Sequence, residues 1–153
     1  MKGIVIFDTT YGNTRKIAET IAETLKESGI ETDAYQFKDV KKLSSHDYDF
    51  LVLGSPTRFG RMSFAFKGFL DKVKSEEWKG RPFAAFDTQN PENIERKETC
   101  ASEKIAETLK ERQMRQLLPV LKAVVLGAKG PLQEAEIERT KEYARQLAVE
   151  LKK

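Results

Sequence analysis

Residues 4–14, Ile-Val-Ile-Phe-Asp-Thr-Thr-Tyr-Gly-Asn-Thr, constrain this chain more than any other segment. Ile4 to Phe7 is an apolar run of the kind that forms a buried strand, and it stops abruptly in hydroxyl, amide and glycine residues. A helical pattern follows at once, with Ile17, Ile21 and Leu25 on one face at four-residue spacing. A strand that feeds a helix through so short a turn aims backbone N–H groups and the positive end of the helix dipole at one point. That point suits a phosphate. The hydroxyls of Thr9, Thr10 and Thr14 and the amide of Asn13 add donors, and Gly12 lets the backbone approach closely. No lysine or Walker-type Gly-Lys-Thr is present, which excludes a nucleoside-triphosphate loop. An ordinary strand-to-helix turn would need only Asn13 as its N-cap. Three threonines and a glycine exceed that need.

At 153 residues the chain reads as one domain over 1–153, large enough for a proper core. No apolar run is long enough to span a bilayer and the sequence enters a strand directly, so the expectation is a soluble, cytoplasmic protein. The single cysteine, Cys100, excludes an internal disulfide framework and a CxxC redox centre. Within a helical stretch it reads as a small, buried, apolar residue. One histidine, His46, in a surface loop completes too small a ligand set for zinc, and no metal site is expected. The density of Glu and Lys along the helices is that of solvated helix faces.

The pattern predicts strand 2–8, helix 13–28, strand 32–37, strand 48–54, helix 62–74, strand 81–87, helix 99–115, strand 120–127 and helix 133–152. Strands 48–54 and 120–127 are nearly continuous apolar runs, as in parallel sheets covered on both faces. Alternating strands and helices imply right-handed crossovers and a three-layer α/β fold around a doubly wound, five-stranded parallel sheet. Ligands of such sheets bind beyond the carboxyl ends of the strands, where the strand order reverses. Three loops are expected there: 8–13, 54–62 and 87–98. In the second, Gly54 and Gly60 bracket a turn at Pro56 with Phe59 near its tip, placed as a lid over a flat ligand. The third opens Asp87-Thr88-Gln89-Asn90, which offers both donors and acceptors. A phosphate loop, an aromatic-bearing loop and a polar loop on one crevice point to a phosphorylated planar heterocycle.

At these residues the chain resembles the flavodoxin family. Val5, Ile6, Phe7, Thr9, Gly12, Thr14, Ala18 and Ile21 match that family's phosphate-loop signature, and Gly-Ala-Lys-Gly-Pro-Leu before the last helix resembles its fifth strand. The resemblance implies the strand order 2-1-3-4-5 known from flavodoxin itself, with FMN at the switch point. By position, Thr9, Thr10, Tyr11, Gly12, Asn13 and Thr14 would hold the FMN phosphate. Ser55, Pro56, Thr57, Arg58, Phe59 and Gly60 would border the ribityl chain and the ring, and Asp87, Thr88, Gln89 and Asn90 would face its pyrimidine edge. Tyr11 and the Pro-Thr-Arg-Phe-Gly segment are also similar to quinone reductases of the tryptophan-repressor-binding-protein type. The chain departs from the usual family pattern in lacking an aromatic residue in its third loop and in its net charge of +3.

The function implied is an FMN-binding electron carrier without catalytic residues, exchanging electrons with redox proteins such as an acidic ferredoxin or a reductase. No nucleic-acid or membrane partner is expected. The alternatives are an NAD(P)H-dependent quinone or flavin reductase on the same scaffold, and a flavin-free interaction module. The first would use Arg15, Arg58 and Arg61 to receive phosphates. With Lys16, these arginines are expected to border the crevice, Asp87 being the nearest acid, and so to favour an anionic reduced flavin. Receiver-domain, serine-hydrolase and dinucleotide-binding functions lack their motifs: paired acids after the first strand, a nucleophile elbow, and Gly-x-Gly-x-x-Gly.

Overall fold

A computed structural model describes all residues, 1–153. Strand β1 (Lys2–Phe7) leads into helix α1 (Asn13–Glu27) and strand β2 (Glu31–Gln36), which ends in a 3-10 turn, Phe37–Asp39. Strand β3 (Phe50–Pro56) is followed by helix α2 (Phe64–Phe69), a 3-10 turn at Leu70–Lys72 and helix α3 (Ser75–Trp78). Strand β4 (Pro82–Gln89) precedes helices α4 (Pro91–Glu95) and α5 (Ala101–Glu111). Two short strands, β5 (Arg115–Gln116) and β6 (Leu121–Val124), and helix α6 (Glu136–Leu151) complete the chain. All strand pairs are parallel, in the order β2-β1-β3-β4-β5, with β6 also paired to β4. β5 and β6 thus share the fifth position, and the expected order 2-1-3-4-5 is the one observed.

Side chains of a strand alternate between faces, so a strand covered on both sides must be apolar at every position. Ile4 and Ile6 of β1, Leu51 and Leu53 of β3, and Phe83 and Ala85 of β4 join α2, α3 and α5 in one core. Val5 and Phe7, Phe50 and Val52, and Ala84 and Phe86 join α1 and α6 in the other. Within the first core Phe37 meets Phe66 edge-on, their ring centres 5.4 Å apart. Two glycines sit beneath aromatic rings of their register partners: Gly3 pairs with Phe50, and Gly54 with Phe86. A Cβ at Gly54 would run into the Phe86 ring, so the ring takes the volume that a side chain would fill.

The element boundaries differ from expectation where polar residues act. Strand 48–54 shifts to Phe50–Pro56 and strand 81–87 lengthens to Gln89, because Thr88 and Gln89 still pair with Ala123 and Val124. Helix 62–74 is shorter: the Ser63 hydroxyl caps it by accepting from the Phe66 N–H at 3.1 Å, and it tightens to a 3-10 turn after Phe69. Helix 99–115 ends at Glu111, and Gln113 adopts a left-handed φ of 64°. Strand 120–127 shortens to Leu121–Val124, and a second short strand, Arg115–Gln116, lies before it, with Pro119, which has no N–H to give, between the two. Asn13 is the first residue of α1 and not its cap; Gly12 takes the N-cap position with φ 91°.

Glu136 ties the last helix to the sheet. Its buried carboxylate accepts from the Val124 N–H at 2.7 Å and from Arg139 Nε and Nη2 at 3.0 and 2.9 Å, while Arg139 also reaches the Lys122 carbonyl. Burial pushes this carboxyl up, but the Arg139 hydrogen bonds, the Val124 amide and the guanidinium charge outweigh it and hold the group below its ordinary 4.5. A carboxyl depressed in the folded state stabilises it above the unfolded value and loses that contribution as pH falls through the folded one.

Two outcomes are expected in chemical denaturation. Gly54→Ala destabilises the fold by about 1–3 kcal/mol, the cost of overpacking a filled core; an unchanged midpoint would show that the Phe86 ring gives way freely. Glu136→Gln is destabilising at neutral pH, and its difference from wild type shrinks as pH falls below about 4. A difference that persists in acid would remove the ionic account.

Candidate functional site

The carboxyl ends of β1, β3, β4 and β6 open into one crevice of about 740 Å³. Its first wall is the turn before α1. The Thr9 hydroxyl accepts from the Gly12 N–H at 3.0 Å, which leaves the hydroxyl hydrogen free to donate. The N–H groups of Asn13, Thr14 and Arg15 donate to no protein carbonyl. These are the orphan donors of a helix start, at the positive end of a 15-residue helix. Thr14 is buried, and its Oγ1 lies 2.9 Å from Thr88 Oγ1, so the turn is bonded to the end of β4.

The second wall is a hairpin. Arg58 and Arg61 exchange backbone hydrogen bonds at 3.0 and 3.1 Å, leaving Phe59 and Gly60 as its two turn residues at φ 52° and 76°. A phenylalanine at positive φ costs about 1 kcal/mol. Its ring is 99% exposed and packs on nothing. Tyr11, half exposed across the mouth, is flanked by the Arg58 guanidinium at 5.5 Å and by Lys129 Nζ at 5.9 Å.

The third wall is set by a buried carboxylate. Asp87 accepts from Gln89 Nε2 at 2.8 Å, from the Thr57 hydroxyl at 3.1 Å and from the Ser102 N–H at 3.0 Å. The Thr57 Oγ1 accepts in turn from the Ala101 N–H at 2.8 Å. With its NH₂ committed to Asp87, Gln89 offers its oxygen to Asn93 Nδ2 at 2.6 Å. The direction of each bond follows from the first, because a carboxylate only accepts.

Twelve of the sixteen residues expected at the site line this crevice: Thr9, Thr10, Tyr11, Asn13, Thr14, Pro56, Thr57, Arg58, Phe59, Thr88, Gln89 and Asn90. Gly12 lies at the turn behind them. Ser55 and Asp87 do not reach the crevice: both are fully buried, Ser55 bonded to the Pro56 carbonyl and Asp87 to its three donors. Gly60 is packed against Thr99, where a Cβ would come within 2.6 Å of the hydroxyl. The supposed loop 87–98 is strand as far as Gln89, and then α4, capped by Asn90, whose Oδ1 accepts from the Asn93 N–H. Asp87 therefore does not face the crevice; it fixes Thr57 and Gln89, which do.

The expected ring of cations is also redrawn. Of Arg15, Lys16, Arg58 and Arg61, only Arg58 lines the crevice. Arg15 lies over Phe7 and pairs with Glu19, and Arg61 lies over Phe64. Glu92 is on the lining and Lys129 is beside it. Residues 125–128, and with them Pro91, Glu92 and Asn93, line the crevice outside the expected set. The first group was legible in principle, since every strand of a parallel sheet ends on the same side and a Gly-Ala-Lys-Gly-Pro segment follows the fifth.

The chain belongs to the flavodoxin family: the family model described as Flavodoxin domain matches residues 4–129. A flavodoxin of Aquifex aeolicus is 38% identical over 80 residues, which cover 50% of this chain and 42% of that protein. Protoporphyrinogen IX dehydrogenase [quinone] of Escherichia coli K12 is 36% identical over 72 residues, 47% of this chain and 40% of that protein. The matched stretches thus span less than half of these relatives. A solved flavodoxin from the domain Archaea superposes with a TM-score of 0.82 over 100% of both chains, at 23% identity. No helix is long and apolar enough to cross a membrane.

Cys100, just before α5, is buried behind the third wall. Burial pushes its thiol up, and the neighbouring Asp87 charge adds to the shift. The thiol is expected to react with an aromatic disulfide reagent about a hundredfold more slowly in the native protein than in denaturant. Rapid native labelling would mean that the segment before α5 opens readily.

Proposed function

We propose that the chain binds FMN in this crevice and carries electrons between redox proteins. The observation that carries the reading is the set of uncommitted donors at the start of α1: three backbone N–H groups and the free hydroxyl hydrogens of Thr9 and Thr10. They face a crevice where nothing in the folded chain uses them, and which two exposed aromatic rings, Tyr11 and Phe59, also line. A terminal phosphate satisfies such donors, and a flat ring system suits the space between Tyr11 and Phe59. The residues fit the group. Asn13, Thr14 and Arg15 N–H with Thr9 and Thr10 would hold the phosphate. Pro56, Thr57, Thr88 and Gln89 would border the chain that links it to the ring, and Asn90 and Asn93 its polar edge.

Bound FMN supplies one- and two-electron redox chemistry, for which the protein needs no acid or base of its own. The residues set the conditions. The Asp87 network holds the polar wall rigid, so that little reorganises when charge changes nearby. Arg58 and Lys129 favour negative charge at the mouth and Glu92 opposes it, each contribution screened by solvent and salt.

A second reading is an NAD(P)H-dependent quinone or flavin reductase. It is favoured by the similarity to a quinone-linked dehydrogenase and by a Phe59 that leaves the mouth open to a second planar molecule. Anaerobic mixing of the flavin-loaded protein with NADPH separates the two, since rapid bleaching belongs to a reductase alone.

Titration with FMN and riboflavin tests the main reading. FMN is expected to bind far more tightly. Thr10→Ala is expected to weaken FMN by about 1–2 kcal/mol, the worth of a hydrogen bond to a charged group, and to leave riboflavin unchanged. Equal affinities for the two flavins would remove the phosphate argument.

A further inference from the structure

Charge is unevenly spread over this molecule. Residues 37–45 and 57–74 hold eight of the 27 lysines and arginines but only two of the 24 acids, Asp39 and Asp71. The rest of the chain carries more acids than bases. None of the eight cations lies within 4.0 Å of a carboxylate oxygen, and all nine ion pairs of the structure use other cations. Asp71 is itself taken by Arg112, just after α5, at 3.6 Å.

These segments frame a shallow groove of about 490 Å³ between the turn after β2 and helix α2. Its floor is Phe37, Val40 and Phe69, and its rim is Lys38, Lys41 and Lys72. Lys72 Nζ donates to the Val40 carbonyl at 3.3 Å and lies 5.4 Å from the Phe69 ring centre, while Lys38 Nζ lies 5.8 Å from that of Phe37. The stems follow apolar surface and the charges stand around it. The α2 wall is low, because a Cβ at Gly68 would meet nothing within 4 Å. At the N-terminal end of the same helix Phe64 is 76% exposed, with Arg61 over its ring.

We infer that this face docks an acidic protein partner, which lays a short acidic helix across the groove with an aliphatic side chain against Ala65 and Gly68, the exposed small residues of its α2 wall. Like charges gathered without counter-charges repel one another, and an acidic surface relieves that repulsion while steering the encounter. A nucleic acid fits less well. Phe37 and Phe69 are only 7% and 6% exposed and packed among other rings, so they present no face for base stacking. A bilayer fits less well too, since the apolar surface is the floor of a groove and α2 has six residues. The inference rests on the groove and its charges and does not require a bound flavin.

The probe is a synthetic helical peptide of about 14 residues, leucine at i and i+4 and glutamate at most other positions. It is titrated into the full ligand-free chain, followed by amide chemical shifts and by affinity at two salt concentrations. Shifts are expected at Val40, Gly68 and Phe69, with affinity falling about tenfold on going from low to physiological salt. The triple reversal Lys38→Glu, Lys41→Glu, Lys72→Glu is expected to weaken binding by at least about tenfold. Gly68→Leu, a helix-favouring change into open space, is expected to weaken it without altering charge. Lys110→Glu on α5 should have no effect. The inference is overturned if shifts cluster on the crevice loops, if neither the triple reversal nor Gly68→Leu weakens binding, or if a single-stranded oligonucleotide or a phosphatidylserine vesicle binds the groove as tightly.

Discussion

One carboxylate with no exposed surface organises the functional end of this molecule. Asp87 sits where β4 leaves the core, and each of its bonds reaches a different segment: Thr57 after β3, Gln89 on its own strand, and Ser102 in the first turn of α5. A buried charge that lost these donors would be far more costly than any neutral alternative, so the segments are held to it. The helix start matters most, since its backbone N–H groups and dipole supply compensation that no cation provides. Through Gln89 the constraint extends to Asn93 and hence to α4. The polar wall of the crevice is thus built outward from a residue that never touches the crevice.

The opposite wall follows a different rule. Thr9 uses its acceptor capacity on Gly12 and keeps its hydrogen, Thr14 shares a single bond with Thr88, and the α1 N–H groups remain without partners. One side of the site is saturated internally and rigid, while the other is left unsatisfied. A ligand with a phosphate at one end and a flat ring at the other meets both conditions at once. The flavodoxin family membership shown by residues 4–129 agrees with that division of labour.

The fold and most of the crevice were legible in the sequence because they rest on local signals. An apolar run such as Ile4–Phe7, bounded at once by turn residues, reads as a strand covered on both faces, and the threonine-rich turn after it holds more donors than its own bonds to Gly12 and Thr88 use. What was not legible depends on partners distant in sequence. Asp87 looks like the first residue of a polar loop until Ser102 and Thr57 are placed beside it. Thr88 and Gln89 look like loop residues until Ala123 and Val124 extend the ladder. The cations were misplaced for two reasons: Arg15 and Arg61 are drawn over the nearby rings of Phe7 and Phe64, a side-chain direction that spacing alone does not show, and Lys129 reaches Tyr11 from more than a hundred residues further along.

The Phe59 turn sets folding and binding against each other at one position. Its left-handed backbone would be more comfortable with glycine or asparagine, and its ring contributes nothing to either core. A chain selected only for stability would drift away from phenylalanine there. Laboratory evolution of this protein for heat resistance, with no demand on ligand binding, would accordingly discard that ring early, and the crevice would lose its outer wall while the sheet beneath it grew more robust.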